Sequence, residues 1–259
     1  MELLFLYKSF MEYLLLSLII AVAIVSYLSH RRDMKLLCSV SSPTRGTRSE
    51  RKLIIKMLKK GVHPKAIFHD LYLKRKSGSY SQIDLVVATP QGLVVIEVKD
   101  YSGWLFGSER QRYWTQILNY GKEKYRFYNP IMQNAGHIKA LKEQSAQFAQ
   151  LPIYNIVLFD GDCTLKDVSY SQFGTFVGYA GNIMRVLKTI KGFGEAEYTD
   201  KKEVARVLRE AVRNGENPAI VVASHVADVQ SRNWDCPRPV INWFPRFFRI
   251  FRWRRWIRF

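Results

Sequence analysis

Residues 82–99 read QIDLVVATPQGLVVIEVK, and this stretch limits the fold more than any other. Two apolar runs, 85–88 and 93–96, flank Thr89-Pro90-Gln91-Gly92. Proline presets the backbone for a turn and glycine accepts conformations closed to other residues, so the two runs predict a tight antiparallel hairpin. An unbroken Leu-Val-Val-Ile run suits a buried strand. With Pro90 and Gln91 as the loop, Thr89 opposes Gly92 and Asp84 opposes Glu97. Opposed residues have Cβ atoms about 4.5–5.5 Å apart. A bulge at Gly92 would shift that register by one. Glu97 and Lys99 lie two apart and therefore share a face.

The rest of the chain supplies partners for this hairpin. Residues 47–60 predict a helix, with Thr47 and Glu50 as a capping box, an apolar stripe of Leu53, Ile54, Met57 and Leu58, and Gly61 as its end. Strands are expected at 66–73, 82–89 and 93–99, followed by an aromatic-rich loop, a helix at 131–149 and strands at 154–161 and 175–179. Further helices fit 181–191 and 200–213, the second with Thr199 as N-cap and Gly215 just past its end. The order is helix, three strands, helix, strand, then extra pieces, without an internal repeat.

The first 28 residues form a separate unit. Residues 13–28 carry no charge, and the apolar run extends back to Phe10 with one acid, Glu12. A nearly neutral start and the lack of a small-residue cleavage site favour a retained anchor over a removed signal peptide. Arg31, Arg32 and Lys35 follow the run, which by the positive-inside rule holds the rest of the chain in the cytoplasm. Residues 33–46 read as a linker and 181–235 as a helical extension. The formal net charge is +18, which calls for an anionic partner, either nucleic acid or an acidic membrane surface. Three scattered cysteines, Cys38, Cys163 and Cys236, fit neither a zinc site nor a disulfide framework.

Two carboxylates held together near the end of a buried strand repel each other, so one takes up a proton or a cation sits between them. Mg²⁺ (or Mn²⁺) suits hard carboxylate oxygens and keeps positions open for water and phosphate. Lys99 on the same face could orient that water or balance charge on a phosphate. E-x-K at a strand end is on its own often no more than a solvated edge; the acid across the hairpin raises its weight. His137 stands four after Gln133 on the same helical face, as a neighbour of the site or an ordinary packed histidine. Gln116 and Tyr120 share a helical face in WTQILNY, His69 has no evident partner, and Asp160-Gly161-Asp162 reads as a plain turn.

Residues 81–87 (SQIDLVV), 90–103 (PQGLVVIEVKDYSG), 128–134 (YNPIMQN) and 137–141 (HIKAL) together resemble the NERD, or nuclease-related, domain. That family is grouped with the PD-(D/E)XK, restriction-endonuclease-like superfamily. The resemblance covers residues 46–160 and implies an α/β, restriction-endonuclease-like core, with the N-terminal transmembrane helix and the C-terminal helices as additions. It also implies Asp84 and Glu97 as metal ligands, Lys99 as the catalytic lysine, and supporting roles for Glu50 and Gln133. The function expected is a membrane-anchored, Mg²⁺-dependent nuclease acting on DNA. The alternatives are a non-catalytic nucleic-acid-binding module of the same fold and a structural membrane protein.

The tail changes composition abruptly. Residues 241–259 carry Arg246, Arg249, Arg252, Arg254, Arg255 and Arg258 among aromatics, with no acid. Such a segment either stacks on single-stranded bases while neutralising phosphates or lies in a lipid interface. The three- and four-residue spacing of Phe244, Phe247, Phe248 and Phe251 favours lipid.

Overall fold

The computed structural model describes residues 2–171 and 173–233. Helix α1 (Glu2–Cys38) leads into α2 (Arg48–Lys59) and the meander β1 (Ile67–Lys74), β2 (Tyr80–Thr89) and β3 (Gly92–Asp100). Then come β4 (Gly103–Ser108), β5 (Tyr113–Leu118), β6 (Glu123–Tyr128), α3 (Pro130–Lys142) and α4 (Ala146–Gln150). The chain continues through β7 (Ile153–Asp160), β8 (Cys163–Ser169), β9 (Thr175–Tyr179), α5 (Ile183–Lys191), α6 (Lys201–Asn214) and α7 (Pro218–Asn233). This is a mixed α/β fold, and the expected order of helix, three strands, helix and strand is present.

The strands form two sheets, one ordered β1-β2-β3-β7-β9 and one ordered β6-β5-β4-β8. β1, β2 and β3 are antiparallel, while β7 and β9 run parallel to β3. Alternation along β3 divides the core. Val94, Ile96 and Val98 face a layer made by α2, α5 and Leu37 of α1. Leu93 and Val95 face the other way, onto Leu141, Phe148 and the α6 residues Val204, Leu208 and Ala211. In α2 the stripe Leu53, Ile54, Met57 and Leu58 is buried, and each such side chain contributes roughly 1.5–3 kcal/mol. Thr47 and Glu50 form both bonds of the capping box.

Four expectations need correction. The 33–46 linker is helical at its start, because α1 runs without a break to Cys38 and Leu37 is sealed in the core at 2% exposure. The aromatic loop after β3 is three strands of the second sheet, so Gln116 lies in β5 and does not share a helical face with Tyr120. The helix expected over 131–149 is two, α3 and α4. The N-cap of α6 is Asp200, whose Oδ1 accepts from the Lys202 and Glu203 N–H groups, not Thr199. Beyond 180, α5 and α6 pack into the same cores as the meander.

Helix α1 includes Phe10–Cys38, with a fully exposed window of mean hydropathy 2.2, long and apolar enough to cross a membrane. The tail arginines 246–258 lie outside the described residues.

Candidate active site

Gly92 sets the register. It has φ +129, and a Cβ there would collide with the Pro152 carbonyl oxygen. Thr89 pairs with Gly92 as the turn chemistry predicts, and the ladder continues to Leu85↔Ile96. The next step is missing. There Asp84, level with Glu97 by count, uses Oδ2 to accept the Val98 N–H at 2.8 Å. The β1–β2 ladder also skips Asp84, passing from His69↔Leu85 to Leu71↔Ile83. The residue facing that gap is Asp70, with φ +56. Asp tolerates this left-handed conformation better than most residues, and here Arg45 Nε and Gln82 Nε2 hold its carboxylate at 3.1 and 3.0 Å. β2 is thus disengaged on both sides at one aspartate.

Glu97 is buried, 2% exposed. Its Oε1 stands 2.5 Å from Lys99 Nζ, and Nζ also donates to Gln133 Oε1 at 3.0 Å. Gln133 is delivered by α3, which Asn129 caps through the Ile131 N–H and Pro130 starts. Asn134 pins that helix to the sheet: its Nδ2 donates to Val95 O at 2.9 Å and Asn155 Oδ1 at 2.8 Å. One turn after Gln133, His137 Nε2 lies 3.4 Å from Glu97 Oε2. Ser81 Oγ holds the other ring nitrogen at 2.9 Å and accepts from Arg75 Nη2 at 3.0 Å.

The charges follow from this packing. Burial pushes the Asp84 carboxyl well above its ordinary range, and the negative charges of Glu97 and Glu50 add to it against Lys99. Burial alone would do the same to Glu97, but Lys99 and His137 outweigh it and bring that carboxyl down to about 2. Burial opposes the Lys99 ammonium, yet Glu97, Tyr101 and Asp84 raise its pKa. The site therefore holds one firmly ionised acid, one acid reluctant to ionise, and one cation.

Glu50 sits apart in its bonding. Oε1 accepts from the Thr47 N–H and Oγ1, and Oε2 lies 2.9 Å from His69 Nε2. Both oxygens are occupied, so Glu50 reaches Asp84 through its field, not as a ready ligand. His69, which looked partnerless, bridges Glu50 and Ser41, with Nδ1 2.6 Å from Ser41 Oγ. Asp160 ends β7 with an ion pair to Lys52 at 3.3 Å, and Gly161 turns the chain at φ +87.

Among the described residues, no cluster of three or more His, Cys, Asp or Glu could hold a metal ion. Asp84 and Glu97 form a two-carboxylate set. Glu97 Oε2 is buried and meets His137 Nε2 at 3.4 Å as an ion pair, without a well-formed hydrogen bond. An orphaned anionic oxygen beside a second acid fits a divalent cation that takes few protein ligands and keeps its waters.

Reading the sequence brought together Asp84, Glu97, Lys99 and Gln133. It also offered His137 as a neighbour of the site, but missed the Asn134–Asn155 clamp and the Arg75–Ser81 support behind His137. Asn134 and Ser81 lay in the quoted YNPIMQN and SQIDLVV stretches; nothing local marked Asn155 or Arg75 as partners.

Residues 45–160 match the family model described as nuclease-related domain, NERD. An uncharacterized protein of Bacillus anthracis is 32% identical over 164 residues, covering 62% of this chain and 73% of that protein. No solved structure matches.

Proposed function

This chain belongs to the nuclease-related domain family, and on that premise we propose that it is a membrane-anchored, metal-dependent nuclease hydrolysing phosphodiester bonds of DNA. The observation that carries the reading is the buried Glu97 Oε2, without a hydrogen bond, beside Asp84, whose ionisation burial and like charge oppose. Asp84 and Glu97 would hold Mg²⁺ or Mn²⁺. A bound divalent ion polarises a phosphoryl oxygen and lowers the pKa of its water. Lys99 contributes a charged ammonium fixed between Glu97 and Gln133, placed to steady negative charge as it grows on phosphate. Gln133 aims that ammonium, and His137 helps Glu97 stay ionised. The apolar run of α1 supports the anchor, and the cations that follow it support a cytoplasmic side for the domain.

The test is incubation of the full chain in neutral detergent with plasmid and linear DNA, with Mg²⁺, Mn²⁺ or chelator. Metal-dependent cleavage by the native chain, lost in Asp84→Asn and Glu97→Gln, supports the reading. Equal cutting by Asp84→Asn refutes the site.

A further inference from the structure

Parity along β3 places the second sheet. Leu37 of α1 docks on the side of β3 that carries Val94, Ile96 and Val98. Glu97 and Lys99 point to the opposite side, paired in register with Val157 and Phe159 of β7. The second sheet packs on that opposite side: Trp114 stacks on Phe159 with ring centroids 6.1 Å apart, in a cluster with Leu105, Ile131 and Cys163. β4 begins at Gly103, just past Lys99.

With Leu105 and Trp114 turned inward, alternation turns their neighbours outward. One cross-strand row of the outer face runs Lys124, Ile117, Trp104, Thr164; the next runs Arg126, Thr115, Phe106, Asp167. Trp104 is 38% exposed, and Lys166 Nζ lies 5.2 Å from the centre of its ring. Lys124 and Arg126 are exposed as well. Beside Phe106, a hollow of about 260 Å³ opens, lined in part by Gln111 and Thr115. Three cations stand around these two aromatics against one acid, Asp167.

We propose that this outer face docks single-stranded nucleic acid, with bases stacked on Trp104 and Phe106 and phosphates held by Lys124, Arg126 and Lys166; the inference rests on the nuclease reading and names the form of its substrate. Every base has a π-face, so aromatics interleaved with cations bind a single strand irrespective of sequence. In a duplex the bases are already stacked on each other, which leaves Trp104 without a partner. The chain's own tail does not suit the face, since its six arginines and no acid would be repelled. A bilayer reached through α1 does not suit it either, because α1 docks on the other side of the main sheet.

The test measures fluorescence anisotropy of short dye-labelled single-stranded DNA with the full chain in neutral detergent, in chelator to prevent cutting. Trp104→Ala should weaken binding by about tenfold, whereas Trp104→Phe, which keeps a stacking ring, should stay near the native affinity. Lys124→Gln with Arg126→Gln should reduce the slope of log affinity against log salt by about 1.4, at about 0.7 per phosphate contact. Unchanged binding by Trp104→Ala overturns the proposal. So does equal competition by a matched duplex or by polyglutamate, which would make the face a general anion surface. Binding in chelator and cleavage in Mg²⁺ are separate readouts. Trp104-dependent binding without cleavage sinks the nuclease and keeps the docking face; cleavage with Trp104-independent binding does the reverse.

Discussion

Replacing Lys99 with Met removes the cation that neutralises Glu97 while keeping much of its volume. Burial disfavours the Glu97 carboxylate, yet Lys99 and His137 bring its pKa from the ordinary 4.5 to about 2. At about 1.36 kcal/mol per pH unit, that depression is worth about 3 kcal/mol of folding stability at neutral pH. A depressed carboxyl contributes this stability above 4.5 and loses it as pH falls towards 2. In Lys99→Met the buried carboxylate keeps only His137, so Glu97 rises and takes up a proton more readily in the folded state. The variant should therefore gain stability on mild acidification, opposite in sign to the native Glu97 contribution. The cost at neutral pH should be about 3 kcal/mol, matching the range for breaking a buried ion pair, and a chain of this size loses about 2–4 °C per kcal/mol. Intrinsic fluorescence melting in chelator reads this directly, because Trp114 is fully buried and stacks on Phe159, the register partner of Lys99. Adding Glu97→Gln to Lys99→Met should recover most of the loss, since no charge is then left buried alone. A melting point within about 2 °C of native, with no change in pH dependence, would refute the view that Lys99 is what keeps Glu97 ionised.

The other outcomes concern neighbouring residues. Asp84, whose pKa is raised, lends stability at low pH and loses it as pH climbs above 3.8; Asp84→Asn should melt higher than the native chain in chelator at alkaline pH. Mg²⁺ should raise the native melting point and leave that of Asp84→Asn nearly unmoved, as differential scanning fluorimetry with and without metal will show. His69→Phe strands a buried Glu50 oxygen and should cost about 1–3 kcal/mol in thermal melts while metal-dependent cleavage by the folded fraction continues. Gly92→Ala combines φ +129 with a collision against the Pro152 carbonyl and should destabilise by more than about 1 kcal/mol, measured by melting and by loss of soluble yield.

The hairpin and its register were legible because turn chemistry and apolar runs agree over 82–99, and the ladder from Thr89↔Gly92 follows the count. The α2 capping box was legible because both its members lie within one turn. The second sheet was not. Its strands mix Gln, Thr and Tyr at half-buried positions with exposed Lys and Arg, and its fourth member, β8, arrives from 163–169. Only that long-range pairing makes strands of what reads locally as an aromatic loop. His69 was opaque for a similar reason: Ser41 and Glu50 reach it from 28 and 19 residues away. The helical start of 33–46 was hidden because its apolar pair, Leu36 and Leu37, has meaning only once the α2 stripe and β3 are there to receive it.

The continuity of α1 into the core would shape how an anchored nuclease works. A flexible linker would let the domain tumble beneath the bilayer. Here α1 is one continuous helix, Leu37 is locked into the core, and Asp33 pairs with Lys59 of α2 at 2.6 Å. From Leu28, the end of the uncharged run, to Leu37 the helix rises only about 14 Å at 1.5 Å per residue. With α1 in a bilayer, the domain would thus be held close to it at a set attitude. Glu97 and Lys99 lie on the side of the main sheet opposite to the one that receives α1, together with the second sheet. Successive residues of β3 face opposite ways, so the strand that carries the acid and base also separates the side that receives α1 from the side that carries the second sheet. A polyanion held on Trp104 and Arg126 would then not contend with α1 for the same surface.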